Sequence, residues 1–297
     1  DILIEVAGND VSGIDVSTVV SWIKGEGGTT VDIRVYRESE DKYYDFTVER
    51  RKIEVPTVAY EMLEDNIGYV QVTEFDEVTS DQYIAAVDDL KAQGMEGLIV
   101  DIRDNPGGLL SCVVDMLDYM LPEGTIVYTE DKNGEGDTYT SDAEHYFDLP
   151  LAVLVNGNSA SASEIFSGAI QDYETGTIIG TQTFGKGIAQ GIFNLPDGSG
   201  LKLTTAYYYT PSGECIHKLG IEPDVTVALD EDLKSKIEIP KDEDNQLQTA
   251  LEVFDEGVDA VNEKISAENG ETATADDDFE AKVKENLEIE NEAGAAQ

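Results

Sequence analysis

The sequence predicts an α/β fold, and three observations predict it. From Ile67 to Tyr209 short apolar runs alternate with helical periodicities. Two of those runs, Leu98–Val100 and Leu151–Val155, are apolar throughout, as parallel strands covered on both faces are. The strand ends meet small-residue turns, Asn105-Pro106-Gly107-Gly108 and Asn156-Gly157-Asn158, that lead into further helices.

The elements follow in order. Ile2, Ile4 and Val6 alternate as a strand, and Gly8-Asn9-Asp10 turns the chain. Asp15 caps a helix over Val16–Lys24, with Val16, Val19, Val20 and Ile23 on one face. Gly25-Glu26-Gly27-Gly28 ends it, and Val31, Ile33 and Val35 alternate as the next strand. Residues 1–37 resemble the C-terminal half of a PDZ domain. The chain opens inside a strand and lacks a leading Met, so it reads as a fragment. The strands and carboxylate-binding loop of the other PDZ half are expected to precede Asp1.

Residues 38–66 read as a charged connector with a strand at Tyr43–Val55, and the α/β core spans 67–228. In it, Gly68–Val72 is a strand, and Thr79 or Ser80 caps a helix whose Ile84, Val87 and Leu90 face inward. Gly94 ends that helix, and the strand Leu98–Arg103 follows. The Asn105–Gly108 turn leads to a helix carrying Val113, Val114, Leu117, Met120 and Leu121. After Leu151–Val155 comes a helix with Ile165, Phe166, Ala169 and Ile170, then strands at Thr177–Gly180 and Leu201–Tyr209. Residues 229–256 form a docking segment whose helix, Gln246–Phe254, presents Leu247, Ala250, Leu251 and Phe254. Residues 257–297 read as an acidic tail, a frayed helix or disordered. From Asp230 onward there are 22 acidic and 6 basic residues.

Charge excludes whole classes of partner. The 297 residues carry a formal net charge of −44, which opposes binding to nucleic acid or to an anionic membrane. No run approaches a membrane span, and no signal peptide is visible. The two cysteines, Cys112 and Cys215, make no disulfide framework, and the two histidines, His145 and His217, leave little for a metal site.

The chemistry concentrates in two stretches. Ser159-Ala160-Ser161-Ala162-Ser163-Glu164 opens an apolar helix, and Thr183-Phe184-Gly185-Lys186-Gly187 sets one lysine in a glycine-rich turn, with Gln190 four residues on. A serine needs a base to become a nucleophile, and a desolvated lysine can be that base. An ordinary lysine titrates near 10.4, so service at neutral pH needs a depression of roughly 3 units, about 4 kcal/mol. Apolar walls supply such a depression, and Phe184 is the adjacent candidate. Gln190 can orient a neutral amine without adding charge. The N–H of Ala162, at a helix start, suits a developing oxyanion, and Gly107 or Gly108 offers a second donor. Read blandly, the serines cap a helix, Glu164 completes a capping box from Ser161, Lys186 is a surface turn residue, and Asp101 and Arg103 pair to brace a loop.

Together these motifs resemble the C-terminal processing peptidases, or tail-specific proteases. The resemblance rests on Asp101–Leu110, Ser159–Ile165, Thr183–Gly187 with Gln190, and Tyr209–Gly213 followed by Gly220–Asp224, in that order. It implies a PDZ domain joined to a serine protease core of the ClpP/crotonase-like spiral type. It also implies Ser161 as nucleophile, Lys186 as general base, Gln190 as its positioner, and the N–H groups of Ala162 and of Gly107 or Gly108 as oxyanion hole. No cofactor or metal is implied. The expected partners are proteins or peptides with accessible C-termini, with room for a homo-oligomer. The expected location is extracytoplasmic, in the cell envelope or secreted, with the signal or anchor missing from this chain. Two rival readings are a catalytically silent PDZ-containing scaffold and an acyl-CoA-binding crotonase relative. The net charge disfavours a CoA phosphate site. A serine–histidine pair using His145 or His217 does not follow the same logic.

Overall fold

The computed structural model describes residues 1–52, 55–142, 144–236 and 239–269. The chain forms two compact units, Asp1–Val55 and a second from Pro56 onward.

The first unit holds β1 (Ile2–Val6), β2 (Asn9–Asp10), α1 (Val16–Ile23), β3 (Thr30–Arg37) and β4 (Lys42–Glu49). They form one antiparallel sheet in the order β2-β1-β3-β4. Asp15 caps α1 as its position predicts, its carboxylate accepting the Ser17 N–H. Val6, Val19 and Val31 make the small core. Here the connector reading is corrected. The strand placed at Tyr43–Val55 runs Lys42–Glu49 and pairs with β3 along its whole length, so the break between units falls after Val55 and not after residue 37.

The second unit begins with β5 (Val58–Met62), β6 (Ile67–Val72), α2 (Thr79–Gln93), β7 (Gly97–Asp101), α3 (Leu110–Asp118), β8 (Gly124–Glu130) and β9 (Thr138–Ser141). It continues with β10 (Leu151–Val155), α4 (Ala162–Asp172), β11 (Thr177–Gly180), β12 (Ile188–Asn194), β13 (Gly200–Tyr209), β14 (Val225–Thr226), α5 (Asn245–Glu256) and α6 (Val258–Asn269). The central sheet runs β14-β11-β10-β7-β6-β5, parallel except for the edge strand β5. The α/β expectation holds, and its physical basis is visible in the strands. Alternate residues point to opposite faces. Val70, Leu98, Val100 and Val153 meet α2, α3 and α4, while Tyr69, Ile99, Ala152 and Leu154 meet α5 and α6. Both faces are covered, so β7 and β10 are buried at every position.

Three local readings change. Val78, not Thr79 or Ser80, precedes α2; the Thr79 hydroxyl is buried and pairs with the Thr57 hydroxyl at 2.6 Å. A strand stands between Gly180 and Leu201 where the sequence reading named none. The chain enters β12 at Ile188, which pairs antiparallel with β13 in a second sheet, β12-β13-β8-β9. The acidic stretch beyond Gly257 begins with a helix, α6, whose Val258, Val261 and Ile265 pack with the α5 side of the core. The rest of the expected disordered tail, 270–297, lies outside the described residues.

Candidate active site

Parallel strands end together, and the loops that leave them are where α/β folds gather ligand-binding groups. β7 delivers the Asp104–Gly108 loop and β10 delivers the Asn156–Ser161 loop, side by side because β7 and β10 pair directly. Side chains and backbone lace the two loops together. Ser159 Oγ donates to the Ile102 carbonyl (2.8 Å), Ser163 Oγ to the Asn105 carbonyl (2.8 Å), and the Ala160 N–H to that same carbonyl (3.0 Å). Asp104 accepts both the Asn156 and Asn158 amides. Ser159 and Ser163 are thus structural serines, fully buried, and Ser161 is the half-buried one between them.

Ser161 occupies the residue before α4 with φ 57° and ψ −111°. A non-glycine residue there is strained by roughly 1–3 kcal/mol, tolerated where the surroundings over-determine it. The surroundings do so. Ser161 and Glu164 form a capping box, so the bland reading of the serine cluster is realised. Gly107 packs so closely that a Cβ added to it would lie 2.8 Å from Ser161 Cβ and 2.9 Å from the Ala162 nitrogen.

Glu164 carries more than the cap. Its side chain is fully buried and its two oxygens accept four hydrogen bonds. Oε2 takes the backbone N–H of Ser161 (2.9 Å) and of Lys186 (2.7 Å); Oε1 takes Thr183 Oγ1 (2.7 Å) and the Gly185 N–H (2.6 Å). One carboxyl group therefore fastens the serine loop to the lysine turn. A glutamate on a helix buried around its whole circumference needs partners, and the capping box accounts for only one.

The other predicted residues fall as follows. Ala162 is the first residue of α4, and no acceptor takes its N–H among the described residues, as is usual at a helix start. The two glycines separate. The Gly107 N–H donates to Asn105 Oδ1 at 2.9 Å, and Asn105 is itself anchored by its amide on the Val72 carbonyl. The Gly108 N–H has no such acceptor among the described residues, because its bridge to Phe75 runs through the flanking peptides, Phe75 N to Gly107 O and Leu109 N to Phe75 O. Lys186 is partly buried, and its backbone is fixed by Glu164. Phe184, expected as its apolar wall, is 64% exposed. Gln190 is exposed on β12 opposite Thr204, carried there by the strand and not by the turn. His145 lies against Tyr119 and His217 against Tyr207. No group of metal-ligating side chains occurs among the described residues.

Behind the Asp104 loop, Arg103 joins Asp101 (2.6 Å) and Asp244 (2.8 Å) and also donates to Gln246. Burial alone would lower the Arg103 guanidinium, but the two carboxylates raise it above its ordinary range. Asp101 also accepts the Tyr69 hydroxyl at 2.7 Å, which burial and that carboxylate push above the usual tyrosine range. The predicted Asp101–Arg103 brace is present, and it reaches further, to the N-cap of α5.

Residues 66–227 match the family model described as peptidase family S41. The chain is 37% identical over 262 residues to the carboxyl-terminal-processing protease of Synechocystis sp., covering 87% of this chain and 61% of that protein. It is 38% identical over 230 residues to the carboxy-terminal processing protease CtpA of Bacillus subtilis, covering 77% of this chain and 49% of that one. Among solved structures, the photosystem II D1 C-terminal processing protease superposes with a TM-score of 0.56 at 32% identity, over 78% of this chain and 65% of its own. The chain thus spans about half to three fifths of the length of these curated relatives.

Proposed function

The chain belongs to peptidase family S41, and we propose on that footing that it is a serine endopeptidase cleaving proteins near their C-termini through a Ser161–Lys186 dyad. The observation that carries the reading is the Glu164 carboxyl group, which holds the backbones of Ser161 and Lys186 on one oxygen. Two segments 25 residues apart are thereby fixed side by side, at the ends of parallel strands, with a strained serine between them.

The chemistry would run as follows. The Lys186 amine, as neutral base, takes the proton of Ser161 Oγ while Oγ bonds to the scissile carbonyl carbon. The carbonyl oxygen becomes an oxyanion, and the N–H groups of Ala162 and Gly108 receive it. Gly107 supports this hole without donating to it, since its own N–H is spent on Asn105. The intermediate collapses, the C–N bond breaks, and the leaving amine takes the proton from Lys186. Water then attacks the acyl ester at Ser161 with Lys186 again as base, the C–Oγ bond breaks, Lys186 returns the proton to Ser161 Oγ, and the new C-terminal carboxylate leaves. Gln190 orients the amine, and from the exposed face of β12 this requires its side chain to turn toward Lys186 when substrate binds.

The substrate class follows the relatives whose names state carboxyl-terminal processing. Proteins or peptides with accessible C-termini are the proposed partners, an extracytoplasmic site the proposed location, and residues 1–37 with β4 the proposed half of a PDZ domain. Incubation of the chain with an unstructured protein, followed by mass spectrometry, tests the activity. Fragments should appear with the wild-type chain and be absent with Ser161→Ala. Undiminished cleavage by Ser161→Ala would remove the serine from the mechanism, and an inert wild-type chain would favour the silent scaffold.

A further inference from the structure

A cavity of about 830 Å3 opens on the α5 side of the sheet, beyond the C-terminal ends of β6, β7, β10 and β11. Its composition is unusual for this chain. The whole sequence has 19 basic residues against a net charge of −44, yet Arg103, Lys234, Lys236 and Lys241 all line this one space. The carboxylates that also line it are already committed. Asp101 and Asp244 hold Arg103, and Asp104 holds the Asn156 and Asn158 amides. The lysines pair outward instead, Lys234 with Glu231, Lys236 with Glu243 and Lys241 with Glu61, and these glutamates are exposed by half or more. Ion pairs of that kind are weakly held and readily exchanged for another carboxylate. Lys241 also stands over the Tyr69 ring, 4.5 Å from its centre, which keeps the ammonium at the cavity.

We propose that this cavity is a binding site for an acidic peptide segment, separate from the Ser161–Lys186 site. Three features select that ligand. The lysines, spread along residues 234–241, suit several carboxylates better than one. Gln71 and Asn158 offer amide groups to a peptide backbone. Leu229 and Ile239 supply an apolar strip beside the lysines for an intervening side chain. The site also has a route to the chemistry. Asp104, Asn156 and Asn158 form its inner wall, and the same three residues tie together the loops that carry Gly108 and Ser161. A ligand seated against them stiffens the oxyanion loop, so occupancy is felt at the serine.

The test reads binding directly and does not depend on hydrolysis. A fluorescein-labelled oligoglutamate peptide, amidated at its C-terminus, is titrated into the Ser161→Ala chain by fluorescence anisotropy. Saturable binding is expected, weakened about tenfold or more in a further Lys234→Gln, Lys236→Gln, Lys241→Gln variant. The oligoglutamine twin should not bind. Hydrogen exchange provides the second measurement: the ligand should slow exchange at the Asp104 and Asn158 N–H groups, whose acceptors are the Asn156 side chain. No saturable binding would overturn the proposal, as would equal binding by the lysine variant or by oligoglutamine. Complete displacement by inorganic phosphate would overturn the peptide assignment and leave a small-anion site. Unchanged exchange at Asp104 and Asn158 in the saturated complex would overturn the link to the loops.

Discussion

Ser161 and Lys186 share one acceptor: the backbone N–H of each donates to Oε2 of Glu164, at 2.9 and 2.7 Å. That oxygen sets the distance between two backbones that come from different loops, so the spacing of the proposed nucleophile and base rests on a residue that need never touch substrate.

Glu164→Gln is the sharpest probe of that relationship. The amide keeps one oxygen and turns its NH2 toward N–H groups that need an acceptor. At least one buried donor pair is left unsatisfied, at about 1–3 kcal/mol for each group. We expect a lowered melting temperature and, because misplacement by an ångström costs on the order of 100-fold, a fall of that size in kcat. Thermal melts and peptide hydrolysis measure the two. A variant within twofold of wild type in both would show that the clamp does not position the dyad.

Gly107→Ala separates strain from placement. The glycine has φ 100°, and an added Cβ would stand 2.6 Å from the Ala160 carbonyl oxygen as well as against Ser161. Backbone has to move, so hydrolysis should fall about 100-fold. Gly134, with φ 77° and nothing within 4 Å, is the control. Gly134→Ala should cost about 1–2 kcal/mol of stability from φ alone and leave kcat unchanged. Equal activity loss in both variants would mean that the Gly107 contact is irrelevant to Ser161.

Much of this was legible beforehand, and the exceptions have physical causes. The apolar runs at Leu98–Val100 and Leu151–Val155 announced buried parallel strands because strands covered on both faces are near-continuously apolar, and Asp101 at the end of β7 is buried only with Arg103 as its partner. The serine cluster and the lysine turn were visible as motifs. What tied them was not, since Glu164 reads locally as a cap and its remaining acceptors are filled by Thr183, Gly185 and Lys186, about 20 residues away. β12 was missed because its half of a solvent-exposed ribbon lacks alternation: Gln190, Ile192, Phe193 and Asn194 are all exposed. α6 read only as a frayed helix or disorder because its apolar residues are few, and contact with β14 and α5 makes them sufficient.

Arg103 should hold α5 to the sheet. Replacing it by Met leaves the Asp101 and Asp244 carboxylates facing each other with Arg103 gone, which costs about 3–5 kcal/mol for a broken buried pair. A chain carrying Asp101→Asn and Asp244→Asn with Arg103→Met should recover much of that loss. Chemical denaturation measures both. A single variant as stable as wild type would contradict the role.

Cys112 gives a pH signature. Burial pushes its thiol from 9.0 up to about 11. Below pH 9 the thiol is neutral folded or unfolded, so its contribution is fully present. Between pH 9 and 11 the unfolded chain releases the proton first, and up to about 3 kcal/mol of stability drains away. A Cys112→Ala chain should lose less over the same interval. At pH 8 a thiol reagent should titrate the partly exposed Cys215 promptly and Cys112 only on unfolding. Prompt reaction of both would contradict the buried placement.

The central claim is that Ser161 acts with Lys186 as its base. Its most direct test is hydrolysis of one unstructured protein by the wild-type chain and by Lys186→Arg, at matched fold judged by melting. The guanidinium keeps the positive charge and length but cannot take a proton at any working pH, while the backbone N–H held by Glu164 is untouched. The account predicts cleavage by the wild-type chain and none by Lys186→Arg. Comparable cleavage by both would contradict it.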